Sequence, residues 1–185
     1  SNDGYIYLAG ETSGNLNNQQ NNGDEDAFLI KLDLNGNEIW TKLFGTKEEE
    51  KAYSVKISSK GDIYLSGETQ GNLNGQEKIG EEDIFLIKLD SDGNELWTKL
   101  YGSELSDMGW FSSIDNQDFI YLGGETHGNL NGEINHSYTK EDAFLIKLDS
   151  DGNELWTTLL GEELNDELWS IAYGKDGDIF VVGET

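Results

Sequence analysis

The tripeptide Gly-Glu-Thr recurs at Gly10, Gly67, Gly124 and Gly183, at spacings of 57, 57 and 59 residues. Trp40, Trp97 and Trp156 keep this register, as do Asp26, Asp83 and Asp142, and Gly45, Gly102 and Gly161. Tyr53, Trp110 and Trp169 form a further aligned set. A long fixed period shared by independent markers describes a chain of equivalent units, each burying its apolar faces against its neighbours. The period divides residues 1–185 into a partial unit 1–45, full units 46–102 and 103–161, and a partial unit 162–185 of a single segment.

Each unit contains four strand-like runs. In the middle unit they are KAYSVKIS from Lys51, DIYLSGET from Asp62, DIFLIKLD from Asp83 and NELWTKLYG from Asn94. No run has apolar residues at helical spacing over the ten or more positions a helix needs. In FLIKL, Phe85, Ile87 and Leu89 point one way while Leu86 and Lys88 point the other, so neither face is cleanly polar and both are expected to be covered. The stretch KLDSDGNELW, at Lys88–Trp97 and Lys147–Trp156, resembles the start of a calcium loop but fails its spacing. From Asp90, Gly falls at position 4 instead of 6, and position 12 is Tyr101; from Asp149, position 12 is Leu160. Two β-compatible runs around Asp-Gly-Asn predict a tight hairpin. Four antiparallel strands with two covered faces predict an all-β protein of β-propeller blades, about three of them forming an arc of a larger or oligomeric propeller.

The chain carries 12 lysines and no arginine against 37 acids, a formal net charge of −25. A phosphate backbone would be repelled, which argues against a nucleic-acid partner, whereas cations would be attracted. Hydrophobic residues make up 35%, too many for a disordered acidic tail, and no apolar run approaches a membrane span. Cysteine is absent, which excludes disulfides and thiolate chemistry.

The string G-E-T-x-G-N-L-N-G followed by D-x-F-L-I-K-L-D-x-D-G-N-E-L-W-T-K-L-x-G resembles the bacterial SBBP family of seven-bladed β-propeller repeats, in three passes and a partial fourth. The LDxDGNELW part also resembles the tryptophan-docking hairpin of quinoprotein-type propellers. The resemblance implies that the KAYSVKIS-type strand lies nearest a central axis and the Trp-bearing strand outermost. It also implies blade packing by Trp40, Trp97 and Trp156, with Tyr53, Trp110 and Trp169 beside them. The function expected is a non-catalytic scaffold or binding module, extracellular or at the cell surface. Its expected partners are other blades of the same or a neighbouring chain and a protein or glycan ligand. Fold alone does not fix this function.

Candidate chemistry lies in the long loop after each GET. GNLN recurs at Gly14, Gly71 and Gly128, and Glu25-Asp26, Glu82-Asp83 and Glu141-Asp142 close the loops. Carboxylates with Asn side chains are hard oxygen donors of the kind Ca²⁺ prefers, which makes these six acids the calcium candidates. On the alternative reading, Asn and Gly set turn geometry and the acids cap loop amides. Glu11, Glu68, Glu125 and Glu184 are expected to pair across strands with Lys31, Lys88 and Lys147. An enzyme would have to break the repeat symmetry, and His127, His136 and Tyr138 of the third loop do so. The alternative reading is a propeller-type enzyme with its active groups in this third loop or outside this segment.

Overall fold

The computed structural model describes residues 4–135, 140–161, 164–174 and 177–185. The strands are β1 (Ile6–Thr12), β2 (Asp26–Leu32), β3 (Glu38–Phe44), β4 (Glu50–Ile57), β5 (Ile63–Thr69), β6 (Asp83–Leu89) and β7 (Glu95–Tyr101). The chain continues through β8 (Asp107–Ile114), β9 (Ile120–Thr126), β10 (Asp142–Leu148), β11 (Glu154–Leu160), β12 (Glu167–Tyr173) and β13 (Ile179–Glu184). Apart from a 3₁₀ turn at Leu73–Gly75, no helix occurs among the described residues, so none is long and apolar enough to cross a membrane.

These strands form antiparallel meanders in chain order: β1-β2-β3, β4-β5-β6-β7, β8-β9-β10-β11 and β12-β13. The two four-stranded sheets coincide with the full repeat units, and all four runs expected in each unit are strands. Short turns suffice because each connection is antiparallel. Only the second-to-third connection is long.

The period-two alternation explains how the sheets stack. On one face of the second sheet, Ile63, Leu65, Phe85, Ile87 and Leu89 are fully buried in a cluster with Ala27 and Leu29 of the first sheet. On its other face, Tyr64, Ile84 and Leu86 join Ile120, Leu122, Phe144, Ile146 and Leu148 of the third sheet. Tyr121, Leu145 and Ile171 continue the stack into the fourth. Both faces of the middle sheets are therefore covered, as the unalternating FLIKL pattern requires. The first strands of successive sheets touch, β4 against β8 and β8 against β12.

A register shift recurs in these first strands, at Ala52/Ser54, Met108/Phe111 and Leu168/Ser170. Tyr53, Trp110 and Trp169 sit within these irregularities. A bulge bends its strand and re-aims the side chain. Tyr53 and Trp169 are consequently 43% and 44% exposed, which departs from the expectation that they pack between sheets. Trp110 is half-buried, edge-on to Phe111.

Candidate functional site

The hairpin turns use their acids locally. Asp90 Oδ1 accepts the N–H groups of Asp92 and Asn94, both at 2.9 Å, and Oδ2 accepts the Asn94 side-chain amide at 2.9 Å. Asp33 and Asp149 repeat the pattern with Asn35/Asn37 and Asp151/Asn153. The Asn94 side-chain bond holds the Asp90 carboxyl below its ordinary range. Gly36, Gly93 and Gly152 supply the positive φ, at 82°, 78° and 73°.

The outer sides of the second and third turns plug into the preceding sheet. Lys31 Nζ donates to the Ser91 carbonyl at 2.9 Å, and one unit later Lys88 Nζ donates to the Ser150 carbonyl at 3.2 Å. The Tyr64 and Tyr101 hydroxyls donate to the Ser150 and Gly152 carbonyls at 3.1 and 2.7 Å. Trp40 covers Gly93 and Trp97 covers Gly152, so closely that a Cβ at either glycine would lie 3.2 or 2.8 Å from the indole. Tyr7, Tyr64 and Tyr121 stand against Trp40, Trp97 and Trp156 with ring centroids 6.1–6.3 Å apart. Trp40 and Trp97 thus lie between sheets. Trp156, with no hairpin of a later unit on it among the described residues, is 39% exposed.

The long loops employ their polar groups in the same structural way. Asn15, Asn72 and Asn129 each accept the N–H six residues on, from Asn21, Lys78 and Asn135, at 3.0–3.1 Å. Asn17, Asn74 and Asn131 have φ of 48°, 50° and 53° and reach the ELWT-type strand, donating to Thr41, Thr98 and Thr157 at 2.9–3.0 Å. Gly71 and Gly128 are tight against the Thr46 and Ser103 hydroxyls, which lie in the turns ahead of β4 and β8. The calcium candidates Asp26, Asp83 and Asp142 are fully buried. Asp83 accepts the Ile79 and Gly80 N–H groups at 2.5 and 3.1 Å, and Asp26 accepts that of Asn22 at 3.0 Å. Glu82 takes the Gln70 amide at 2.8 Å, Glu25 the Ser13 hydroxyl at 3.4 Å, and Glu141 lies 3.2 Å from His127 Nε2. Among the described residues, no three His, Cys, Asp or Glu side chains are grouped to hold a metal ion.

A second set of acids, which no sequence motif singled out, lies at the start of each later sheet. Glu50, Asp107 and Asp166 are at most 2% exposed and keep the 57- and 59-residue spacing. Glu50 accepts the Thr46 N–H and hydroxyl at 2.5 and 2.9 Å and the Thr69 hydroxyl at 2.7 Å. Asp107 does likewise with Ser103 and Thr126. A Cβ at Gly102 would strike both Asp83 and Asp107, and one at Gly161 both Asp142 and Asp166. Burial, and secondarily the charge of Asp83, pushes the Asp107 carboxyl up. Each pair joins the end of one long loop to the start of the next sheet. The signal that could have found this set was its period.

The GET glutamates form a third feature. Lys88 pairs across strands with Tyr64, and its ammonium reaches Asp62 at 2.9 Å, so the expected Glu68–Lys88 pair does not form. Glu68 instead faces Lys51 at 3.6 Å, since it lies opposite that residue in the β4–β5 register. Tyr53 also bonds to Glu68, whose carboxyl is pushed up chiefly by burial. Burial, reinforced by Glu167 and Glu141 and opposed by His127, carries the Glu125 carboxyl to about 7. His136 and Tyr138, the other two symmetry-breaking candidates, lie outside the described residues. A separate cleft of about 1020 Å³ opens between Tyr7 and the ends of β4 and β8, lined by Val55, Ile57, Lys60, Ile114 and Asp115.

No family model matches the chain. Over 130 residues it is 28% identical to the regulatory protein FlaEY of Caulobacter vibrioides, a match that takes in 67% of this chain and 14% of that protein. The chain therefore spans a small part of the relative's length.

Proposed function

We propose that the chain is a non-catalytic segment of a bacterial β-propeller of the SBBP repeat type, acting as an extracellular or cell-surface scaffold and binding module. One observation carries this reading: the recurring polar side chains, Asn72, Asn74, Glu50, Asp107 and Lys88 among them, join loops and sheets to one another in unit after unit. Stacked four-stranded meanders whose first strands touch are the arrangement that propeller blades adopt around an axis. The cleft beside the ends of β4 and β8 provides room for a protein or glycan ligand. Similarity to a stretch of a protein named as regulatory favours binding over turnover.

The competing enzyme reading rests on His127, which breaks the repeat symmetry beside Glu141. Broad hydrolase and oxidoreductase screens on the protein and on a His127→Ala/His136→Ala variant separate the two. The scaffold reading expects no turnover from either protein. Turnover in the parent that disappears with the histidines overturns it.

A further inference from the structure

Successive units set different residues opposite the same buried glutamate. In the β4–β5 register Lys51 faces Glu68, and its ammonium lies 3.0, 3.6 and 3.8 Å from Glu49, Glu68 and Glu25. Tyr53 adds a hydrogen bond to Glu68. One unit later, the β8–β9 register sets Met108 opposite Glu125, and Trp110 stands at the position of Tyr53. A thioether donates no hydrogen bond. The next residue in the Lys51 series is Glu167, an acid. The ammonium that answers the glutamates of the second sheet thus has no counterpart at positions 108 and 167.

Glu125 is nevertheless only 7% exposed, and among the described residues its side chain accepts no hydrogen bond and forms no ion pair. Its carboxyl meets the like charges of Glu167 and Glu141, with His127 as the opposing group. Glu141 has one oxygen 3.2 Å from His127 Nε2, while its Oε2 is buried without a hydrogen-bond partner. A buried carboxylate without a donor is destabilising, so this cluster lacks a positively charged donor. The Glu141 and His127 side chains are 22% and 32% exposed, and the cluster opens to solvent beside them.

Spacing decides which cation fits. Ca²⁺ gathers its oxygens at about 2.3–2.6 Å, and among the described residues no three acidic or histidine side chains converge to hold a metal ion. An ammonium instead spreads three N–H groups over separate carboxylates. Lys51 Nζ shows such a group serving carboxyls as far as 3.8 Å away. We propose that Glu125, Glu141 and Glu167 form a binding site for a primary ammonium group, brought by a free alkyl diamine or by a lysine side chain of a partner protein. The ammonium takes the place beside Glu125 that Lys51 Nζ takes beside Glu68. The site shares no residue with the cleft at the ends of β4 and β8 and does not depend on the scaffold reading.

The test titrates the whole 185-residue chain with putrescine and, separately, with Nα-acetyl-lysine amide, following amide resonances at constant ionic strength and about pH 8. Saturable shifts confined to residues 123–127, 140–142 and 166–168 are expected below about 10 mM of at least one probe, and the tighter probe identifies the source. Tetramethylammonium, which carries the charge without N–H donors, should bind at least about tenfold more weakly. Glu125→Gln should weaken the amine by a similar factor. Met108→Lys should abolish amine binding and raise the melting temperature, because it supplies internally the ammonium that Lys51 supplies one sheet earlier. Binding should also weaken at about pH 6, where Glu125, amid Glu68, Glu141, Glu167 and His127, takes up a proton. Equal binding of tetramethylammonium, or Ca²⁺ binding at these residues more tightly than either amine, overturns the proposal. Amine binding that Met108→Lys leaves unchanged, or the absence of localised shifts, overturns it too.

Discussion

Trp97 and Trp156 hold the same position in the repeat but have different surroundings, which makes them a matched pair. Trp97 is wedged against Gly152 of the next hairpin, so Trp97→Ala should cost about 3 kcal/mol, near the lower end for large aromatics. Trp156 is already partly in water, so Trp156→Ala should cost about 1 kcal/mol. Denaturant melts of the two variants measure the difference, and equal losses would show that the hairpin contact contributes nothing. The sequence marked both tryptophans as packing residues because they share a register. It could not separate them, since the difference lies in whether a neighbouring hairpin packs on each indole. The same limit applies to Tyr53 and Trp169, whose register resembles a core position but whose bulge leaves the rings partly in solvent.

Within one unit, the long loop is tied to the hairpin strand by a single asparagine in a left-handed conformation. Asn74→Gly preserves the φ of 50° while removing the bonds to Glu95 and Thr98. The expected loss is about 1–2 kcal/mol, with faster amide exchange confined to residues 70–82. Unchanged exchange in that loop would mean the asparagine serves only its backbone geometry. Strand identities and hairpin turns were legible in the sequence because period-two patterning and Asp-Gly-Asn turns are local signals. The uses of the loop acids were not, because an aspartate that caps amides and one that binds a cation are the same letter. The Glu50, Asp107 and Asp166 set, though periodic, becomes meaningful only in the fold, where Gly102 and Gly161 bring Asp107 and Asp166 against Asp83 and Asp142.

At the scale of the molecule, 37 acids against 12 lysines make stability sensitive to pH in an uncommon direction. Glu125, with Glu68, Glu141, Glu167 and His127 around it, rises on folding from 4.5 to about 7; Glu68, Asp83 and Asp107 are also raised. An acid whose pKa is raised binds its proton more tightly when folded. Its contribution is full below the unfolded value and is lost as pH rises through the folded one. Denaturant midpoints should therefore increase as pH falls from about 7.5 to 5, and Glu125→Gln should flatten much of that slope. A midpoint that declines over this interval contradicts the assignment. The stacking of equivalent sheets was legible in the sequence from its 57-residue period. The central claim is that the units are interchangeable sheets stacked in series. Its most direct test is the nuclear magnetic resonance spectrum of a chain lacking residues 46–102, with Gly45 joined to Ser103. The account predicts dispersed β-sheet resonances, with Trp40 now packed on Gly152 as Trp97 was. A collapsed, poorly dispersed spectrum would contradict it.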